Sequence, residues 1–224
     1  MRRWLVVLVA CVAVAVGVPV AWFATRPPAD AGVPVTSVGI LGTDPSPSPT
    51  GAAPAARLPT LTARPAAPGA TTTSPSPVRL RIPAVGVDAA VTPVGVDGRG
   101  FMVIPREVRQ VGWYRYGPAP GDPAGAAVVA GHVDARQQGA GALFPLRGVE
   151  VGNTVTVTVD GGRDLRYRVV GKQTIVKQRL PVERLFARDG APRLVLITCG
   201  GPFVPELSSY RDNLVVVAVP VAAS

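Results

Sequence analysis

The sequence predicts a mainly β domain, a closed or nearly closed barrel over residues 78–224, behind an N-terminal apolar span and a Pro-rich stalk. Three observations lead there. From Val78 onward, β-branched and polar residues alternate in short runs, the two-residue period of strands that bury one face. Turn signals such as Asp97-Gly98 and Asp160-Gly-Gly162 separate the runs, as antiparallel neighbours require. Helical patterning is scarce, and so many strands without covering helices would leave edges that only closure removes.

Taken in order, residues 4–24 are uncharged and, at about 20 residues, long enough to cross a hydrocarbon core. Arg2 and Arg3 precede them and Trp4 and Trp22 mark the ends, so the positive-inside rule places residues 1–25 as a cytoplasmic tip and single transmembrane anchor, with the rest of the chain outside the cell. A cleavable signal peptide, with a shorter apolar core, is the alternative. Residues 26–77 read as a disordered stalk: 12 of the 25 prolines lie between Pro27 and Pro77, and large apolar side chains are few. Strands are then expected over 78–82, 85–96, 126–130, 153–160, 165–176, 193–198 and 213–221, seven or eight in all. Residues 181–188 and 141–146 are the best short helices.

The net charge of +9 comes without a dense basic run in the folded part, and aromatics are only 5%. A nucleic-acid partner is therefore not expected; attraction to anionic membrane or wall surfaces is the better reading of the charge. Of the two cysteines, Cys11 falls in the apolar run, so Cys199 has no intramolecular disulfide partner. A lone thiol in an exported domain points to reactivity, because structural cysteines outside the cytoplasm are usually paired.

Cys199 ends the apolar run Leu194-Val-Leu-Ile-Thr-Cys199 and is followed by Gly200-Gly-Pro202, which leaves the backbone open to an approaching carbonyl. A buried, inert thiol is the alternative. His132, the one histidine, follows the apolar run 126–130 and Gly131. Attack on an amide needs a thiolate and an acid for the leaving amine, and one imidazole can take and return that proton. Arg211 opens the last expected strand; a guanidinium there can steady an oxyanion without losing its charge. Asp134 either orients His132 or caps a turn. One His and one Cys are too few for a zinc site, and no Gly-Lys-Ser/Thr phosphate loop is present, so no cofactor is called for.

These residues carry a resemblance. Val195-Leu-Ile-Thr-Cys199 resembles the sortase signature Thr-Leu-x-Thr-Cys, with Val195 in place of the first Thr and Thr198 kept before the nucleophile. Gly131-His132 resembles the sortase histidine and Arg211 the sortase arginine, in the right order along the chain. Ile82-Pro-Ala-Val-Gly-Val-Asp88, Val111-Gly-Trp-Tyr114 with Gly117-Pro118, Gly131-His-Val-Asp134 and Tyr210-Arg-Asp-Asn213 are similar to the class F, and neighbouring class E, sortases of actinobacteria. The resemblance implies an eight-stranded β-barrel with Cys199, His132 and Arg211 as catalytic residues at one rim and Thr198 as a substrate-binding residue. It implies a Gram-positive, membrane-bound cysteine transpeptidase that cleaves LPxTG-like sorting signals of secreted proteins between Thr and Gly through a thioacyl intermediate. The acyl group would pass to a cell-wall precursor amine. It also implies that the Cys–His ion pair is a minor, active form. A hydrolytic cysteine peptidase using the same residues, and a non-catalytic wall-binding barrel, are the rival readings.

Overall fold

The computed structural model describes residues 30–35, Ser37 and 74–221. The expected anchor over 1–25 and most of the expected stalk lie outside the described residues. Among the described residues, no helix is long and apolar enough to cross a membrane.

The strands are β1 (Ala31–Gly32), β2 (Pro77–Ile82), β3 (Val87–Val94), β4 (Gln110–Tyr114), β5 (Ala126–Gly131), β6 (Asp134–Ala135), β7 (Gly139–Ala140), β8 (Thr154–Val159), β9 (Asp164–Val176), β10 (Arg193–Val204) and β11 (Ser209–Pro220). The main sheet runs β1-β9-β11-β10-β5-β4-β3-β2-β8, and β8 also pairs with β9. That second pairing closes eight strands into the expected barrel and leaves β1 outside the ring, on β9. β6 and β7 form a separate small hairpin.

Alternation explains which faces are buried. In β8, Val155, Val157 and Val159 are fully buried while the intervening threonines are partly open, since successive side chains point to opposite faces. β5 is buried at all six positions because it has apolar cover on both sides. One cluster fills the barrel and includes Leu80, Ile82, Val111, Leu194, Leu196 and Val216. A second lies on the outer face of β5, β10 and β11, with Val128, Val195, Ile197, Val215 and Val217 packed beside Leu185 and Val35. Each such aliphatic side chain contributes about 1.5–3 kcal/mol by leaving water.

Three expectations change. Gln110–Tyr114 is a strand that the sequence pattern did not single out, because Gly112 interrupts it. A Cβ at Gly112 would meet the Val94 methyls at 2.9 and 3.0 Å, so the bare backbone lets β3 and β4 lie close. The Asp97-Gly98 turn does not join ladder neighbours. The Asp97 carboxylate accepts from the N–H groups of Arg99 and Phe101 and closes an isolated bridge, Val96 with Met102. β3 and β4 are parallel, so the chain must make an excursion over 95–109 to return. The helices shrink to Val182–Leu185 (α1) and a 3-10 turn over Phe144–Gly148.

The stalk reading is corrected for residues 30–35, because β1 pairs antiparallel with β9, Ala31 with Lys172 and Gly32 with Gly171. Val35 is only 3% exposed within the outer cluster. Composition alone does not reveal this, because a two-residue strand held by a glycine pair leaves no hydrophobic period to read.

Candidate active site

β5 and β10 are parallel, with Ile197 beside Ala130 as their last registered pair. Continuing that register two residues sets Cys199 beside His132, on the face that also carries Ile197 and Ala130. Between them, the buried Thr198 hydroxyl donates to the Gly131 carbonyl at 2.9 Å, stitching the two strand ends where the ladder stops. Thr198 thus spends its hydroxyl on the neighbouring strand.

The thiol is partly buried and, with His132, lines a cavity of about 450 Å³. No hydrogen bond joins the two side chains. His132 Nε2 donates instead to the Pro105 carbonyl at 3.0 Å. A carbonyl can only accept, so this contact places the proton on Nε2 and leaves Nδ1 as the free base in the neutral ring. Pro105 belongs to the 95–109 excursion, which therefore sets both the tautomer of His132 and one wall of the cavity.

That cavity is mostly apolar. Val96, Phe101, Met102 and Ile104 come from the excursion, Leu180, Val182 and Phe186 from α1 and its flanks, and Tyr114 and Ile197 from the sheet. Phe101 is 65% and Val182 53% exposed, so apolar surface continues onto the rim. A concave apolar groove that ends at a thiol and an imidazole suits an apolar group of a ligand. Asn213 also lines it, directly opposite Cys199 across the β10–β11 pair.

Arg211 is elsewhere. Its Nε and Nη2 donate to the two carboxylate oxygens of Asp212 at 2.8 and 2.9 Å, and it does not line the cavity. The pair is lopsided: the Arg211 side chain is 55% exposed and that of Asp212 4%. The Arg211 hydrogen bonds hold the Asp212 carboxyl below the usual carboxylate range, and Asp212 in turn raises the guanidinium. Gly201 makes room for this, since a Cβ there would overlap the Asp212 carboxylate. Asp134 accepts from the Tyr210 hydroxyl, not from the imidazole, and that bond chiefly pushes the Tyr210 hydroxyl up.

A family model for the sortase domain matches residues 80–221. The chain belongs to the sortase family. This sortase is similar in fold to sortase A from Corynebacterium diphtheriae (21% identity, TM-score 0.52, 67% of this chain and 62% of that one). It is similar also to sortase C-1 from Actinomyces oris (22% identity, TM-score 0.51, 65% of this chain and 71% of that one). The chain spans less than two thirds of the length of the Corynebacterium protein. No curated protein sequence matches it.

Of the residues that sequence reasoning picked, the fold brings Cys199, His132 and Thr198 together and turns Arg211 toward Asp212. Sequence reasoning missed Asn213 and the Pro105 carbonyl. Asn213 could have been found from the register of the hairpin after Cys199, but a bulge between Gly200 and Phe203 hides that register. The Pro105 carbonyl has no sequence signal, because any residue offers one.

Proposed function

We propose that this sortase is a class F-like cysteine transpeptidase, anchored by residues 4–24 with its barrel outside the cell. It cleaves an LPxTG-like signal between Thr and Gly and transfers the acyl group to a cell-wall amine. The observation that supports this most is that Cys199 and His132, each just beyond the last registered pair of the strands β10 and β5, line one apolar groove.

In this reading the apolar groove takes the leucine end of the signal and lays the scissile carbonyl over Cys199. The thiol gives its proton to His132 Nδ1 and the sulfur attacks the carbonyl carbon. The oxyanion that forms needs a donor. Arg211 can serve by releasing one of its two bonds to Asp212 and swinging over the rim, a motion open to a half-exposed side chain. As the tetrahedral adduct collapses, the C–N bond breaks and His132 returns the proton to the departing amine. The acceptor amine then attacks the thioacyl carbon, sulfur leaves, and the amine's proton passes to His132.

The test is intact-protein mass spectrometry of residues 26–224 with an LPxTG peptide, alongside Cys199→Ala. A mass gain equal to the fragment ending at Thr, absent in the variant, is expected. No adduct with several related peptides across a pH series would overturn the reading. An added amine separates transfer from hydrolysis, since only a transpeptidase makes the ligated product.

A further inference from the structure

A short ordered segment lies far upstream of the barrel in the chain. Residues 30–35 are built to sit on β9. A Cβ at Gly32 would overlap the Val170 carbonyl oxygen, and one at Gly171 would overlap that of Val33, so two facing glycines allow the backbones to meet. The Val33 N–H donates to the Val170 carbonyl at 3.0 Å. The Asp30 carboxylate accepts from the Thr174 N–H at 2.7 Å. Val35 is buried in the outer cluster that also holds Ile197 and Ala130, two residues of the groove wall. β1 thereby covers the part of β9 that would otherwise be an open edge.

Register then gives this strap a direction. Thr174 pairs with Leu214, and Leu214 pairs with Thr198, the residue before the thiol. β9 runs antiparallel to β11, as does β10, so β9 and β10 point the same way, toward the catalytic rim. β1 runs against β9, and the chain traced back from Gly32 to Asp30 therefore heads for that rim. Two strand spacings, about 10 Å, separate β9 from β10.

We infer that residues 30–35 are a docked strap through which the chain enters the barrel at its catalytic rim, so that this rim, with Cys199, is held close to the bilayer. The inference rests on the reading of residues 4–24 as a membrane anchor. Only residues 25–29 then separate anchor from barrel, a reach of at most roughly 17 Å when fully extended. The Pro-rich residues 38–73 follow the strap in the chain and so add nothing to that reach. A long stalk would let the enzyme reach bonds far out in the wall. A strap restricts it to bonds and amines presented near the membrane surface.

The test uses the full chain in lipid vesicles, with Cys11→Ser so that a maleimide donor dye labels Cys199, and acceptor dye on the lipid headgroups. A 20-residue Gly/Ser spacer, about 25 Å of flexible chain, is inserted either between Arg26 and Asp30 or within 38–73. Energy transfer is expected to fall several-fold with the first insertion and to stay within error with the second. An equal fall with the second insertion, or none with the first, would overturn the inference. Failure to float with the vesicles would overturn the anchor on which it rests. The strap is then read separately by trypsin cleavage after Arg57: the N-terminal fragment is expected to co-elute with the barrel, and its separation would sink the strap itself.

Discussion

At the scale of single residues, chemistry here depends on what neighbouring groups already occupy. The Thr198 hydroxyl ties β10 to the Gly131 carbonyl one residue short of both the thiol and the imidazole. Thr198→Val keeps the shape and removes that hydrogen bond, so unfolding free energy should drop by about 0.5–1.5 kcal/mol. Adduct formation should slow as the strand ends loosen, while Thr198→Ser restores both in urea titration and mass spectrometry. Arg211 grips Asp212 with a two-pronged contact that a lysine cannot reproduce. Arg211→Lys is expected to lower turnover by an order of magnitude or more and to change peptide KM little; equal turnover would remove the guanidinium from the mechanism. The Asp212 carboxyl sits below its ordinary range because Arg211 binds its charged form. Its contribution to stability is therefore complete above the unfolded pKa, near pH 4, and is lost as pH falls through the lower folded value. The stability gap between the protein and Asp212→Asn should be constant above about pH 5 and narrow below pH 4, as followed by urea midpoints.

At the scale of elements, the 95–109 excursion is the part that turns a barrel into a site. Parallel pairing of β3 with β4 forces the chain to cross before it can return, and the crossing supplies both the apolar wall and the Pro105 carbonyl that holds His132. Phe101 lies 65% exposed on that wall, with the Arg99 guanidinium 5.5 Å from its ring centroid. Phe101→Ser is expected to raise peptide KM about tenfold, which is the loss of roughly 1.4 kcal/mol of apolar contact, with the melting temperature unchanged. A rise in KM without any change of fold would locate the peptide's apolar side chain there, and an unchanged KM would move it elsewhere in the groove.

At the scale of the whole molecule, eight strands close because β8 pairs with both β2 and β9, and the part of β9 beyond Arg168 is left without β8 as a margin to protect. β1 protects it and Val35 caps the outer cluster. A chain begun at residue 74 loses both. It should melt several degrees below one begun at residue 26, since each kcal/mol shifts a domain of this size by roughly 2–4 °C. It should also self-associate at high concentration through the bared strand, visible by sedimentation, and equal melting of the two chains would show that the segment adds nothing to stability.

Much of this molecule is legible in the sequence because its signals are local. Alternation in Thr154–Val159 and the long apolar run ending at Cys199 depend only on neighbours along the chain, so strands and barrel class could be read directly. Cys199 and His132 stood out by scarcity, each ending an apolar run. What the tertiary structure alone decided is pairing at a distance. The β5–β10 pairing brings Cys199 and His132 to one cavity, the β3–β4 crossing brings Pro105 to His132, and Arg211 turns to the buried carboxylate next to it. The ordering of residues 30–35 within a proline-rich stretch belongs with these, because a glycine facing a glycine matters only once the two backbones have met.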